Sequence, residues 1–152
     1  MEETEILKTI GGINHALDFI ANVEFRKLDL TKGKYQYLNR IAEYPGITQT
    51  ELGELLRSEK STVSRAVSKL IKDRLVIAEY SENNSKSRHL KLTEKGQSYA
   101  EIIERENQYS TEMALHGLSN EEIKQLNDLL NKVDENIKLS WMKVRDGFKR
   151  EY

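Results

Sequence analysis

The segment that decides the fold is TQTELGELLRSEKSTVSRAVSKLIK, residues 48–72. Thr48 and Glu51 have the spacing of a capping box, which predicts a short helix that ends near Leu56. Residues 57–60 then form a turn that leads into a second helix, so the segment predicts a helix-turn-helix. Three leucines are expected on the buried side of the first helix: Leu52, Leu55 and Leu56.

The second helix is predicted from about Ser61, with Ser61 or Thr62 as its cap. Apolar residues recur on one face at helical spacing: Val63, Ala66, Val67, Leu70 and Ile71. The opposite face alternates small hydroxyls with cations, and such a face can approach DNA closely. A solvated charged face is the alternative that charge alone favours. The expected DNA contacts are Lys60, Ser61, Thr62, Ser64, Arg65, Ser68, Lys69 and Lys72.

A β-hairpin is predicted directly after this helix. Leu75–Tyr80 is a run of β-favouring residues, and Arg88–Leu92 alternates polar with apolar residues as a half-buried strand does. The polar tip is expected over Ser81–Ser87. A hairpin at this place gives the order of a winged helix-turn-helix, whereas taken alone it is an ordinary surface ribbon. The expected DNA contacts on this wing are Asn84, Lys86 and Arg88.

Apolar stripes at both ends of the chain predict dimerisation helices. Residues 6–20 carry aliphatic side chains at steps of three and four. Ser119 and Glu122 form a second capping box, and the stripe that follows spans about 25 residues, or roughly 38 Å, more than a small winged-helix core can cover. We therefore expect an isologous homodimer. The expected interface residues are Ile6, Ile10, Ile13, Leu126, Leu130, Ile137 and Trp141.

The remaining elements complete one domain. Thr31 is expected to cap a helix that ends at Tyr44-Pro45-Gly46, and Thr93 to cap the helix that runs to about Leu115. The expected fold is mainly α with a small β-hairpin wing (α+β). The expected divisions are a single domain over 1–152, a winged helix-turn-helix lobe over 30–92, and dimerisation helices over 1–28 and 93–150.

Composition narrows the function classes. The chain has 152 residues, a net charge of −1 and no cysteine, which excludes disulfides, thiolate zinc sites, thiol nucleophiles and thiol redox sensing. No apolar run reaches the roughly 20 residues of a membrane span, and the acidic N-terminus is unlike a secretory signal, so we expect a cytoplasmic protein without a membrane partner. Residues 57–91 carry nine Lys or Arg against four Asp or Glu, which is typical of an anion-binding surface.

In its order of helix, helix-turn-helix, wing and two long helices, the chain resembles the MarR family of bacterial transcription regulators. The matching segments are Leu30-Thr31, YPGITQTEL (44–52), KSTVSR (60–65) and LTEKG (92–96), and the resemblance covers residues 30–144. It implies a regulator, expected to be a repressor, that binds a pseudo-palindromic operator in double-stranded DNA as a homodimer. Each recognition helix would lie in a major groove and each wing would reach a minor groove.

Three places depart from the family pattern. Arg57 and Arg74 stand where the family often has glycine, in the turn of the helix-turn-helix and after the recognition helix. If either position has a positive φ, arginine costs on the order of 1 kcal/mol. At the wing, Asn84-Ser85-Lys86 replaces the usual Asp-x-Arg. Because lysine is more strongly hydrated than arginine, we expect it to supply charge more than recognition of groove shape.

The resemblance also implies a small aromatic anion as an effector, bound between the dimerisation helices and the DNA-binding lobe. Residues that could line its pocket are His15, Phe19, Tyr35, Tyr109 and Met113, with core packing as the alternative for each.

Two other function classes compete with a regulator. An enzyme would need convergent titratable groups, yet the chain has no phosphate-binding loop, no serine–histidine triad and no histidine pair at metal-ligand spacing. We therefore expect no enzyme activity, no metal and no cofactor. The other competitor is a winged helix that serves as an architectural or protein-interaction module without sequence specificity.

Overall fold

The computed structural model describes residues 2–152, except for the side chains of residues 2, 84 and 85. The α-helices are α1 (Glu2–Glu24), α2 (Lys34–Glu43), α3 (Gln49–Leu56), α4 (Lys60–Lys72), α5 (Glu94–Ala114) and α6 (Asn120–Arg145). The strands are β1 (Ile47–Thr48), β2 (Val76–Ser81) and β3 (Asn84–Leu92). This confirms the predicted class, mainly α with a winged helix-turn-helix. Across the described residues, no helix combines the length and apolar character needed to cross a membrane.

The chain divides into two compact units, residues 2–110 and 111–152. The first unit holds α1 to α4, the sheet and most of α5. Its core joins the helix-turn-helix to the wing and to α5 through side chains that are almost fully buried: Leu38, Leu52, Val67, Leu70, Leu90 and Ile103. The second unit consists of the end of α5 and α6.

The wing is an antiparallel sheet with strand order β1-β3-β2. β2 and β3 pair from Val76 opposite Leu92 outward to Ser81 opposite Asn84, with one register shift near the tip. The polar tip predicted over residues 81–87 is therefore too long, since only two residues separate the strands. Strand pairing uses backbone groups, so a polar segment can extend a hairpin without an alternating side-chain pattern.

Strand β1 was not predicted from the sequence. Ile47 lies opposite Leu90 of β3, and Thr48 lies opposite His89. Two residues are too few to display the alternation that identifies a strand. Because β1 leads directly into α3, this pairing joins the start of the helix-turn-helix to the wing.

The apolar face predicted for α4 is confirmed, with Ile71 partly buried and four residues fully buried: Val63, Ala66, Val67 and Leu70. On α3 the prediction for Leu55 is wrong, because its side chain is 40% exposed. The buried residue beside Leu52 is instead Gly53, where an added Cβ would lie 3.1 Å from Val63 Cγ2. The close approach of α3 and α4 therefore turns Leu55 away from the core.

Both predicted capping boxes are present. The Thr48 hydroxyl accepts from the Glu51 backbone N–H (3.2 Å), and the Glu51 carboxylate accepts from the Thr48 N–H (2.9 Å). Ser119 and Glu122 repeat the arrangement at the start of α6.

The other two predicted N-caps are wrong. α2 begins after Gly33 instead of Thr31, because Lys32 and Gly33 both have left-handed backbones (φ 59° and 77°) that delay the helix. α4 begins at Lys60 with Glu59 as its N-cap, so the hydroxyls of Ser61 and Thr62 lie inside the first turn.

The segment after the wing holds the end of α4 in place. Thr93 Oγ1 donates to the Arg74 carbonyl (2.6 Å) and accepts from the Gly96 N–H (3.0 Å), which confirms Thr93 as the cap of α5. The Thr93 N–H donates to the Leu75 carbonyl (3.1 Å). At Gly96, an added Cβ would lie 2.0 Å from that same Leu75 oxygen. Only glycine allows α5 to approach the backbone so closely.

Both arginines that replace a family glycine have left-handed backbones, with φ 51° at Arg57 and φ 60° at Arg74. The positive φ that makes arginine less favourable than glycine is therefore present at both positions. Arg74 is the residue at which the chain leaves α4 and turns towards β2.

We predict that Gly96→Ala destabilises the protein by roughly 3 kcal/mol or more, because the new Cβ meets backbone that cannot move aside cheaply. Urea unfolding at fixed protein concentration measures the change. Gln97→Ala, at the exposed neighbouring position, should stay within about 0.5 kcal/mol of wild type. Equal unfolding midpoints for the two variants would contradict the close approach.

We predict that Arg74→Gly is more stable than Arg74→Ala by about 1 kcal/mol, because glycine removes the left-handed backbone strain while both variants lose the same charge. Urea midpoints of the two variants make the comparison. If the alanine variant were the more stable, the strain at this residue would be disproved.

Candidate nucleic-acid interface

The exposed face of α4 brings together most of the predicted DNA contacts. Seven of the eight on this helix are exposed: Lys60, Ser61, Thr62, Ser64, Arg65, Ser68 and Lys72. They lie together because the apolar residues occupy the other face at helical spacing. The sequence of α4 contains four cations and no carboxylate. The face is therefore basic, and its small side chains leave room for close approach.

Lys69, the eighth predicted contact, is half-buried and lies in two ion pairs. Its Nζ is 2.9 Å from Asp73 Oδ1 and 3.1 Å from Asp29 Oδ2. Hydrogen bonds to Asp73 and to Asp29 raise the pKa of Lys69 above its usual value. Lys69 is thus charged, and carboxylates of this chain already occupy its ammonium group.

The three predicted wing residues differ in their surroundings. Lys86 is exposed, while Arg88 is half-buried opposite Tyr80. The Arg88 Nε is buried and has no hydrogen-bond partner among the described residues. The side chain of Asn84 lies outside the described part of the chain. Of the two wing cations that were predicted to contact DNA, Lys86 is therefore the more exposed.

Two hydrogen bonds fix the helix-turn-helix against its neighbours. Tyr37 Oη of α2 donates to Ser58 Oγ in the turn between α3 and α4 (2.9 Å). His89 Nδ1 of β3 lies 2.8 Å from the Gly46 carbonyl oxygen, and since a carbonyl only accepts, Nδ1 carries the proton. The first contact links α2 to the turn that leads into α4, and the second links the wing to the residue just before β1.

A groove of about 600 Å³ lies between α4 and the α1–α2 region. Arg65 and Lys69 line it from α4, and Lys32 and Lys34 line it from the start of α2. These two lysines were not predicted from the sequence to lie beside the basic face. The available signal was a pair of cations around Gly33, just before a helix, but nothing local indicates that they lie beside α4.

The five residues predicted to line an effector pocket do not line this groove, as far as the structure describes them. His15 and Met113 are exposed, and Phe19 and Tyr109 are 72% and 66% exposed. Tyr35 is half-buried, and its ring lies 5.3 Å from that of Phe25.

Tyr35 is part of a hydrogen-bonded network with α1. Its Oη donates to Asp18 Oδ1 (2.9 Å), and Gln36 Nε2 donates to both of these atoms (3.1 Å each). Burial, together with the charges of Asp18 and Glu106, raises the pKa of Tyr35 to about 12. The phenol therefore stays neutral at physiological pH, and the carboxylates near it disfavour an anionic ligand at this residue.

The predicted interface residues form exposed apolar stripes on α1 and α6. Ile6 and Ile13 of α1 are each 53% exposed, and Ile10 is half-buried. None of residues 120–145, all of which the structure describes, is buried. Leu126, Leu130, Ile137 and Trp141 follow one another on α6, with the Trp141 ring 4.8 Å from the Arg145 guanidinium carbon.

Comparison with known proteins gives one consistent result. The model of the MarR family matches residues 28–86. The uncharacterized HTH-type transcriptional regulator YybA of Bacillus subtilis (strain 168) is 43% identical over 148 residues, which cover 97% of this chain and 99% of that protein.

Two solved structures extend the comparison to the fold. A MarR-family transcriptional regulator from Listeria monocytogenes, in complex with a 26mer DNA, has a TM-score of 0.93 and 46% identity, covering 96% of this chain and 97% of that one. The transcriptional regulator SlyA has a TM-score of 0.87 and 42% identity, covering 91% and 98%.

Proposed function

The chain belongs to the MarR family, and from that premise we propose that it is a transcriptional regulator that binds a pseudo-palindromic operator as a homodimer. The observation that carries the proposal is the exposed face of α4, where hydroxyls and cations stand without a carboxylate. The Listeria relative was solved with a 26mer DNA, which supports DNA as the partner.

The residues of the basic face have different roles in this proposal. Arg65 lies one turn into α4, where its guanidinium can make two hydrogen bonds to guanine O6 and N7 in the major groove. Lys60 and Lys72 of α4 and Lys86 of the wing contact phosphates, which give affinity without sequence information. The serines and Thr62 supply short hydrogen bonds to the DNA backbone.

The apolar stripes on α1 and α6 support the proposed dimerisation. Fully burying one leucine or isoleucine side chain contributes about 1.5–3 kcal/mol, so a partner that covers several of them forms a stable complex. A second copy of this chain presents the same stripes, and a two-fold dimer buries both sets at once. The two recognition helices then lie about 34 Å apart, which sets the half-sites about 10 bp apart.

Repression is the proposed consequence of binding. A dimer that covers two adjacent half-sites excludes other proteins from that DNA, and this effect needs no further surface on the protein. Release by a small aromatic ligand stays a prediction. Because carboxylates lie near Tyr35, a ligand at that residue is better suited if it carries no negative charge.

The competing function is an architectural module without sequence specificity. Selection of bound DNA from a random duplex pool separates the two functions. A regulator recovers a two-fold motif with half-sites about 10 bp apart. An architectural module recovers no motif, and that outcome would contradict the proposal.

We predict that Arg65→Ala loses preference at one base-pair position of each half-site and binds the operator about 1–3 kcal/mol more weakly per half-site. Lys86→Ala should weaken all sequences alike and lower the salt slope by about one per subunit. Titrations of wild-type and mutated operators at several salt concentrations measure both effects. If Arg65→Ala weakens every sequence equally, Arg65 contacts only phosphate.

We predict that the double variant Leu130→Glu, Ile137→Glu is monomeric or unfolded, because each glutamate would be buried in the interface at a cost of several kcal/mol. Lys132→Glu is the matched control, since it changes the net charge by the same amount away from the apolar stripe. Sedimentation equilibrium measures the oligomeric state. An intact dimer for the double variant would exclude this part of α6 from the interface.

A further inference from the structure

Lys69 differs from the other cations of α4 because it is bound to a different element of the fold. Its ion pair with Asp73 stays within the end of α4 and cannot orient the helix. Its ion pair with Asp29 reaches the connection between α1 and α2. The hydrogen bond and charge of Lys69 lower the pKa of Asp29, so this carboxylate is ionised at physiological pH.

Asp29 is presented by a firmly held turn. It has a left-handed backbone (φ 55°), and its N–H donates to the Arg26 carbonyl (3.0 Å). On either side of it, Phe25 and Leu30 are buried in the core and joined by a hydrogen bond from the Leu30 N–H to the Phe25 carbonyl (3.2 Å). The backbone that carries Asp29 is therefore held in place, and its side chain, 69% exposed, reaches α4 through the ion pair with Lys69.

Arg65 lies one helical turn before Lys69, and both line the groove that faces α1 and α2. The apolar face of α4 decides which side is buried, but the hydrophobic effect is not directional and does not by itself orient the exposed side chains. Base recognition needs its side chains held to within about 0.5 Å and 10–20°. The Lys69–Asp29 ion pair lies on the same side of α4 as Arg65 and connects that side to the segment between α1 and α2.

We infer that Lys69 and Asp29 form a positioning pair, which sets how α4 presents Arg65 to DNA, and that Lys69 is not itself a phosphate contact. This inference rests on the proposed function. In the alternative, Lys69 does contact a DNA phosphate, and the phosphate displaces Asp29 from its ion pair with Lys69. The two assignments predict opposite signs when the Asp29 charge is removed.

The test is operator and non-specific binding by Asp29→Asn and Lys69→Gln. Asparagine tolerates the left-handed backbone, so the first variant removes only the charge. A positioning pair predicts that each variant binds the selected operator about three- to tenfold more weakly per dimer, in line with the small energies of exposed ion pairs. The double variant should bind no more weakly than either single one.

Discrimination and salt dependence distinguish positioning from loss of charge. For Asp29→Asn, binding to an unrelated duplex should be unchanged or slightly tighter, so that the ratio of operator to non-specific affinity falls. For Lys69→Gln, the salt slope should be unchanged. Lys69→Arg keeps both ion pairs and should restore discrimination. Glu24→Gln, which removes a carboxylate near the end of α1, is the matched control and should leave discrimination unchanged.

Two results would overturn the inference. Asp29→Asn could bind the operator as tightly as wild type or more tightly, or Lys69→Gln could lower the salt slope by about one per subunit, as a lost phosphate contact does. Urea midpoints near that of wild type verify folding, and a variant that fails this check is replaced by the other member of the pair. Failure of the proposed function has a separate signature, because wild-type protein would then recover no motif from the random pool.

Discussion

The Leu75 carbonyl oxygen lies at the junction where α4 ends, the wing begins and α5 starts. The packing of the first unit depends on the close contacts made at this oxygen. It accepts a hydrogen bond from the Thr93 N–H, and it lies so close to Gly96 that no Cβ fits between them. Lys95 Nζ adds a bond to the Asp73 carbonyl (3.0 Å). Because these contacts involve the backbone of Asp73 and Leu75, they hold the junction itself independently of the cations on α4. The orientation of the exposed face is a separate matter, to which the Lys69–Asp29 ion pair is relevant.

The fold followed from the sequence where a local signal was strong. The Thr48–Glu51 box marked the start of α3, and the apolar period of α4 gave its buried face. The errors lie where backbone conformation overrides side-chain preference. Thr31 failed as a cap because two consecutive left-handed residues postpone α2. Leu55 was assigned to the core because nothing in the sequence shows that Gly53 brings α3 against α4.

The exposed side of α4 could be predicted from the sequence. Which of its charged side chains are accessible to a partner could not. Helical spacing placed Arg65 and Ser68 on the exposed side of α4, and both are exposed. The same spacing included Lys69, whose partner Asp29 lies 40 residues earlier in the chain. Helical spacing also could not show that Lys32 lies beside α4, because that proximity depends on tertiary packing. Periodicity identifies which side of a helix is outside, whereas availability for a partner depends on long-range ion pairs.

Arg57 and Arg74 flank α4, and both have a strained backbone and a positive charge. Arg57 precedes α4 and Arg74 follows it, and both have left-handed backbones that glycine would adopt with less strain. Each costs on the order of 1 kcal/mol of stability. In return, each adds a positive charge beside the helix that carries the basic face, within a segment already rich in cations. Backbone strain of this size persists when the surroundings hold it, as the bonds of Thr93 and Lys95 do at the end of α4. The contacts that hold the end of α4 thus also stabilise the strained backbone of Arg74. The rigidity of this junction therefore supports both the geometry and the charge of the proposed interface.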